Sequence, residues 1–187
     1  MTTTTTSPTP VLAGKVAFVT GGSRGIGAAI VRRLARDGAA VAFSYSSSQA
    51  VAEELARSLE AEGGRALALK IDSADAEALK AGIDQAARHF GGRIDILVNS
   101  AGVLHLGPVD ELTLADFDRT IAVNVRAVFV AIQAALAHMG SGGRIVNIGS
   151  TNAERMPFAG GSIYAMSKSA LTGLVQGLAR DLGPRGI

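Results

Sequence analysis

Short, unbroken apolar runs recur along this chain, and most of the helical stretches between them stop at glycine. Residues 16–20 (VAFVT) run straight into Gly21-Gly22. Ile26, Ile30, Val31 and Leu34 then repeat at helical spacing as far as Asp37, and Gly38 ends the repeat. The rhythm continues with strands at 39–45, 65–71, 94–98 and 144–148. Between them it predicts helices from Ser48 to Glu62, at 75–90, and at 112–122 and 124–138, with a break near Val123. Residues 150–162 read as a loop and 163–182 as a long closing helix. A strand apolar at every position has no solvent face, so each must be covered on both sides. Strand alternating with helix then means a doubly wound, parallel α/β sheet in one domain. The chain has 187 residues, 48% of them hydrophobic, which suits one such core over residues 14–187.

Composition excludes several function classes. The formal charge is only +2, with no run of Lys or Arg, and aromatic residues make up 4%; both argue against a nucleic-acid partner. No cysteine is present, so disulfide and thiolate chemistry are excluded and a reducing cytoplasm is the expected location. His89, His105 and His138 are too scattered for a metal. The start, MTTTTTSPTP, has no cationic or apolar segment and reads as a disordered tail over residues 1–13 rather than a secretory signal. No apolar stretch is read as long enough to cross a bilayer, so no membrane partner is expected.

Two motifs carry chemistry. Thr20-Gly21-Gly22-Ser23-Arg24-Gly25-Ile26-Gly27 joins the first strand to the first helix. A pyrophosphate binds backbone N–H groups at a helix N-terminus, and side chains there would block it. Gly21 permits the turn, Gly25 lets the backbone approach, and Gly27 lets the helix pack on the strand. The spacing departs from G-x-G-x-x-G, since Ile30 stands where a third glycine would fall. The second motif is Tyr164-Ala165-Met166-Ser167-Lys168. Four residues on a helix bring Tyr and Lys to one face. A phenol, with an ordinary pKa of about 10, is too weak an acid to donate near neutrality; an ammonium about 4 Å away supplies the roughly 4 kcal/mol needed. The helix N-terminus favours the phenolate further.

Together these motifs resemble those of the short-chain dehydrogenase/reductase family: TGGSRGIG is similar to its T-G-x-x-x-G-x-G loop, and Asn99-Ser100-Ala101-Gly102 to its N-N-A-G. The resemblance extends from Lys15 to the last residue. It implies a Rossmann-type sheet, a nicotinamide dinucleotide, and reduction of a small ketone or aldehyde of 3-oxoacyl type. Gly21, Ser23, Arg24, Gly25, Ile26 and Gly27 are the implied cofactor contacts, with Ala101 and Gly102 leaving room and Asn99 bracing the sheet beside them. Asp72, with Ser73, corresponds to an acid that contacts adenine, although an Asp there also reads as a helix cap. The second strand ends in Ser46-Ser47-Ser48 without a carboxylate, and Arg24 offers a guanidinium, which together imply NADP(H). Read alone, those serines are also helix caps and Arg24 a solvated charge.

In the implied chemistry Tyr164 donates the proton, Lys168 tunes it and binds the nicotinamide ribose, Ser150 holds the carbonyl oxygen, and Asn124 keeps a water beside Lys168. Many relatives place the serine one residue later, at Thr151; the strand end favours Ser150. A polar brace in an apolar helix is the other reading of Asn124. A nucleotide-binding regulatory protein with little turnover is the alternative function. The resemblance also implies a homodimer or homotetramer through the apolar helices near 125–136 and 170–182. Relatives continue past Ile187 with two more strands; if the chain ends at Ile187 the fifth strand is an exposed edge, and if further residues follow it is covered.

Overall fold

The computed structural model describes residues 10–187. Five parallel strands, β1 (Val16–Thr20), β2 (Ala40–Tyr45), β3 (Arg65–Lys70), β4 (Ile96–Asn99) and β5 (Arg144–Asn147), lie in the order β3-β2-β1-β4-β5. The chain winds outward from β1 to β3, then returns to lay β4 against β1 and β5 outside it. The order therefore reverses between β1 and β4, where Thr20 is in register with Asn99. A crevice opens at the carboxyl ends of strands that diverge in this way.

Helices α1 (Gly25–Arg36) and α2 (Gln49–Ala61) cover one face. Their core there includes Val19, Val31, Phe43 and Leu55. Helix α3 (Ala76–His89) covers the other face with α4 (Leu114–Ile121), α5 (Ala127–Leu136) and α6 (Ser162–Leu182). That second core gathers Phe18, Leu79, Ile83, Leu97 and Ile132. Burying each large side chain contributes roughly 2–3 kcal/mol, and the buried polar residues of the central strands, Thr20, Ser44 and Asn99, sit toward their carboxyl ends, beside the crevice.

The structure corrects the sequence reading at several points. The break near Val123 is absent: α4 and α5 are joined by a π-helical turn, Ala122–Arg126, into one run. That run, Leu114–Leu136, is long and apolar enough to cross a membrane by length and composition, contrary to expectation. Much of it is instead buried, with Ala131, Ile132 and Ala135 in the core. Ser48 makes no capping bond to α2, and Asp72 does not cap α3. The α3 cap is Asp75, which accepts from the N–H groups of Glu77 and Ala78. In the 1–13 tail, residues 1–9 lie outside the described residues. Residues 10–13, however, form a turn in which Leu12 N–H donates to Asp37 O at 2.8 Å and the Leu12 side chain joins the core. β5 is the outer strand, with Val146 exposed.

Candidate active site

The first wall of the crevice is the glycine loop. Gly21 takes a φ of 66°, and a Cβ there would lie 2.9 Å from Ala101 Cα. A Cβ on Gly27 would sit 2.2 Å from the carbonyl oxygen of Gly21, so only glycine lets α1 begin this close to β1. Ser44 completes the loop: its hydroxyl accepts from Gly21 N–H and its carbonyl from Gly22 N–H. Arg24 precedes α1 with no side-chain cap, leaving the first-turn N–H groups of the helix facing the crevice. Its guanidinium is exposed and makes no ion pair among the described residues.

Opposite the loop, Thr20 Oγ1 accepts from the N–H groups of Ser100 and Ala101 at 3.0 and 3.1 Å. One hydroxyl thus closes β1 against the turn after β4. Between these walls lies a cleft of about 460 Å³. It is lined by the predicted Gly21, Ser23, Arg24, Gly25, Ile26, Gly27, Ser46, Ser47, Ser48, Asp72, Ser73, Ala101 and Gly102. Asn99 is not in the lining. Its amide donates to Asn147 Oδ1 at 2.8 Å across β4 and β5, which is the bracing role. Asn99 Oδ1 is the one buried side-chain polar atom without a partner among the described residues. Asp72 holds an unforeseen partner: Arg119 grips it with both guanidinium nitrogens at 3.0 Å. That fork and the Ala74 N–H hold the Asp72 carboxyl below the ordinary carboxylate range.

Tyr164 and Lys168 stand on the first turns of α6, with the Lys168 ammonium 6.0 Å from the centre of the Tyr164 ring. Lys168 is buried, and Nζ donates to Ile148 O at 2.9 Å. Burial lowers its pKa from the ordinary 10.5, because desolvation disfavours the ammonium. A Cβ on Gly102 would lie 3.7 Å from Lys168 Nζ and 3.5 Å from Asn124 Oδ1, so this glycine is where Lys168 and Asn124 meet the cleft.

Asn124 sits fully buried in the π turn, a distortion frequent at functional sites. Its Oδ1 accepts from Val103 N–H at 2.8 Å, and its Nδ2 donates to Val103 O and to Ser167 Oγ, both at 3.0 Å. Ser167, which sequence reasoning did not single out, passes the chain on to Tyr164 O. Ser150 follows β5, its hydroxyl accepting from Asn152 N–H; Thr151 begins a short 3-10 turn and is exposed. The histidines are all engaged elsewhere. His105 bonds Thr120, His138 bonds Asp84, and His89 packs edge-on against Phe90.

A doubly wound sheet with a glycine cradle at its switch point and a Tyr–Lys pair beside it defines a dinucleotide-binding oxidoreductase scaffold. The chain belongs to the short-chain dehydrogenase/reductase family: residues 15–187 match the family described as short chain dehydrogenase. A short-chain dehydrogenase/reductase from Serratia marcescens is 63% identical with a TM-score of 0.92, covering 94% of this chain and 71% of that one. A short chain dehydrogenase from Burkholderia cenocepacia, solved in complex with NADP, is 58% identical with a TM-score of 0.93, covering 95% and 72%. The cyclic-di-GMP-binding biofilm dispersal mediator protein of Escherichia coli is 49% identical over 174 residues, 93% of this chain and 69% of its own length.

Proposed function

We propose that this chain is an NADP(H)-dependent carbonyl reductase acting on a small ketone or aldehyde of 3-oxoacyl type. The observation that carries the reading is the position of Lys168. Its buried ammonium lies beside the Tyr164 ring and against Gly102, so one group connects the proton donor to the cleft.

The cleft fits the cofactor. The glycines keep Cβ atoms out of the path of a pyrophosphate, and the uncapped start of α1 offers it N–H donors. Arg24 and Ser46, Ser47 and Ser48 suit the extra phosphate of NADP, with no carboxylate after β2 to repel it. Bound there, NADPH supplies the hydride for the carbonyl carbon. Tyr164 gives its phenolic proton to the carbonyl oxygen. Ser150 donates a hydrogen bond to the same oxygen, since its position at the end of β5 leaves the hydroxyl beside the start of the loop to α6. Lys168 stabilises the phenolate that forms, and Asn124 holds Val103 and Ser167 in place behind it. The exposed Phe117, Phe129 and Val175 support self-association through the helices, which sedimentation would report as a mass above that of the monomer.

Tyr164→Phe tests the reading. It should leave NADPH affinity within about twofold while lowering turnover of a ketone panel by roughly 10²–10⁴-fold. Turnover near the parent rate would defeat it. The Escherichia coli relative favours a second reading, a regulatory nucleotide binder. Cyclic di-GMP binding in calorimetry, with no NADPH consumption on any ketone, would select that reading instead.

A further inference from the structure

The cleft lining holds two arginines, Arg24 and Arg119, and a single carboxylate, Asp72. Arg24 makes no ion pair among the described residues, whereas Arg119 is committed to Asp72 by a two-pronged bond. A second arginine steadies the same turn: Arg126 donates to Ala74 O at 3.2 Å, and Ala74 N–H in turn bonds Asp72. Arg119 precedes the π turn that carries Asn124, and Arg126 is the last residue of that turn. A carboxylate on this wall poses an electrostatic problem. It can accept a hydrogen bond from a bound base, but its charge opposes every phosphate that enters. With Arg119 in place the three side chains sum to one positive charge; without it they sum to zero.

We propose that Arg119 is a specificity-determining residue of the cleft: by cancelling the charge of Asp72 it lets the wall keep an acceptor while still admitting a dinucleotide with an additional phosphate. The inference rests on the cofactor reading above. It differs from a plain tie between the β3–α3 turn and α4, which would affect all dinucleotides alike. Both side chains are partly exposed, so water and salt reach the pair and the effect is graded rather than absolute.

The test is a binding titration of the full chain with NADPH and with NADH, followed by nicotinamide fluorescence and so independent of turnover. Arg119→Gln should weaken NADPH about tenfold and NADH about threefold or less, the gap narrowing as salt is raised. Arg119→Lys keeps the charge and should hold the NADPH-to-NADH ratio within about threefold of the parent. Asp72→Asn combined with Arg119→Gln restores a neutral pair and should return NADPH affinity to within about threefold. If Arg119→Gln does not fold, the lysine variant and the double variant carry the test. Equal losses for both dinucleotides, or a double variant no better than the single one, would overturn the assignment. A parent chain that binds neither dinucleotide would remove the cofactor reading first and this inference with it.

Discussion

The two ends of the sheet carry hollows of nearly equal size and opposite character. At the carboxyl ends of the strands the cleft measures about 460 Å³; at the amino ends, a hollow of about 450 Å³ lies among Lys15, Arg36, Leu59, Glu62, Arg65 and Phe90. The first faces the start of α1, with its unpaired N–H groups. The second faces the ends of α1 and α2, where carbonyl oxygens collect and the partial charge is negative. Two of the cations there are already engaged: Arg65 stacks on Phe90 and Lys15 bonds Asp95. Glycines differ in the same sense. Gly14 and Gly63 have open space where a Cβ would point and serve only their positive φ. Gly27 is not in that conformation, and is glycine because another backbone lies against it. Volume alone does not make a nucleotide site; aligned donors and close backbone approach do.

This contrast can be broken by substitution. The largest effect is expected from Gly27→Ala, whose Cβ meets a carbonyl oxygen that cannot move cheaply. It should cost about 2–3 kcal/mol of stability in a denaturant titration and abolish measurable NADPH binding. Gly63→Ala, at the other end, should cost only about 1 kcal/mol, through its positive φ, and leave NADPH affinity unchanged. Next, Arg24→Gln should weaken NADPH roughly tenfold and NADH far less, whereas Arg36→Gln in the opposite hollow should alter neither. A Gly63 or Arg36 variant that lost binding as Gly27 or Arg24 variants do would erase the distinction between the ends.

Lys168 sharpens the comparison further, because it is a buried cation on the functional side. Its lowered pKa means that the folded state carries a buried ammonium at a cost below that pKa. The cost fades as pH climbs from the lowered value toward 10.5, so this group makes the fold more stable with rising pH across that window. Activity moves the other way: ketone reduction should decline on the alkaline side before an ordinary lysine would titrate. Lys168→Met should remove that limb of the rate profile along with most turnover. It should also raise the unfolding midpoint at neutral pH by about 3 °C, near 1 kcal/mol, once the lost bond to Ile148 O is offset. A midpoint that fell by several degrees would show that the ammonium stabilises the fold.

Much of the site was legible before any coordinates. TGGSRGIG needs no partner from elsewhere to announce a tight strand-to-helix turn, and Tyr164 and Lys168 share a face by helical spacing alone. The parts that escaped are bonds between distant segments. Arg119 lies on α4, and nothing in its sequence neighbourhood signals that it reaches the turn after β3. Asn147 stands within β5, and its partner Asn99 is known only once β4 lies beside it. The π turn was mistaken for a break because Asn124 interrupts an apolar run, and a buried amide that bonds Val103 and Ser167 satisfies itself without ending the helix. The cap of α3 proved to be Asp75 and not Asp72, since both can cap and only the geometry of the turn decides which one does.

Short-range order belongs to the chain itself: apolar periodicity chooses strand or helix, and glycine chooses where each stops, because these depend on neighbours within one or two turns. Which polar groups meet was decided by the return of β4 to the side of β1. That step placed Thr20 against Ser100 and Lys168 against Ile148, and once water had been expelled from between them, each buried donor had to find its acceptor in another part of the sequence.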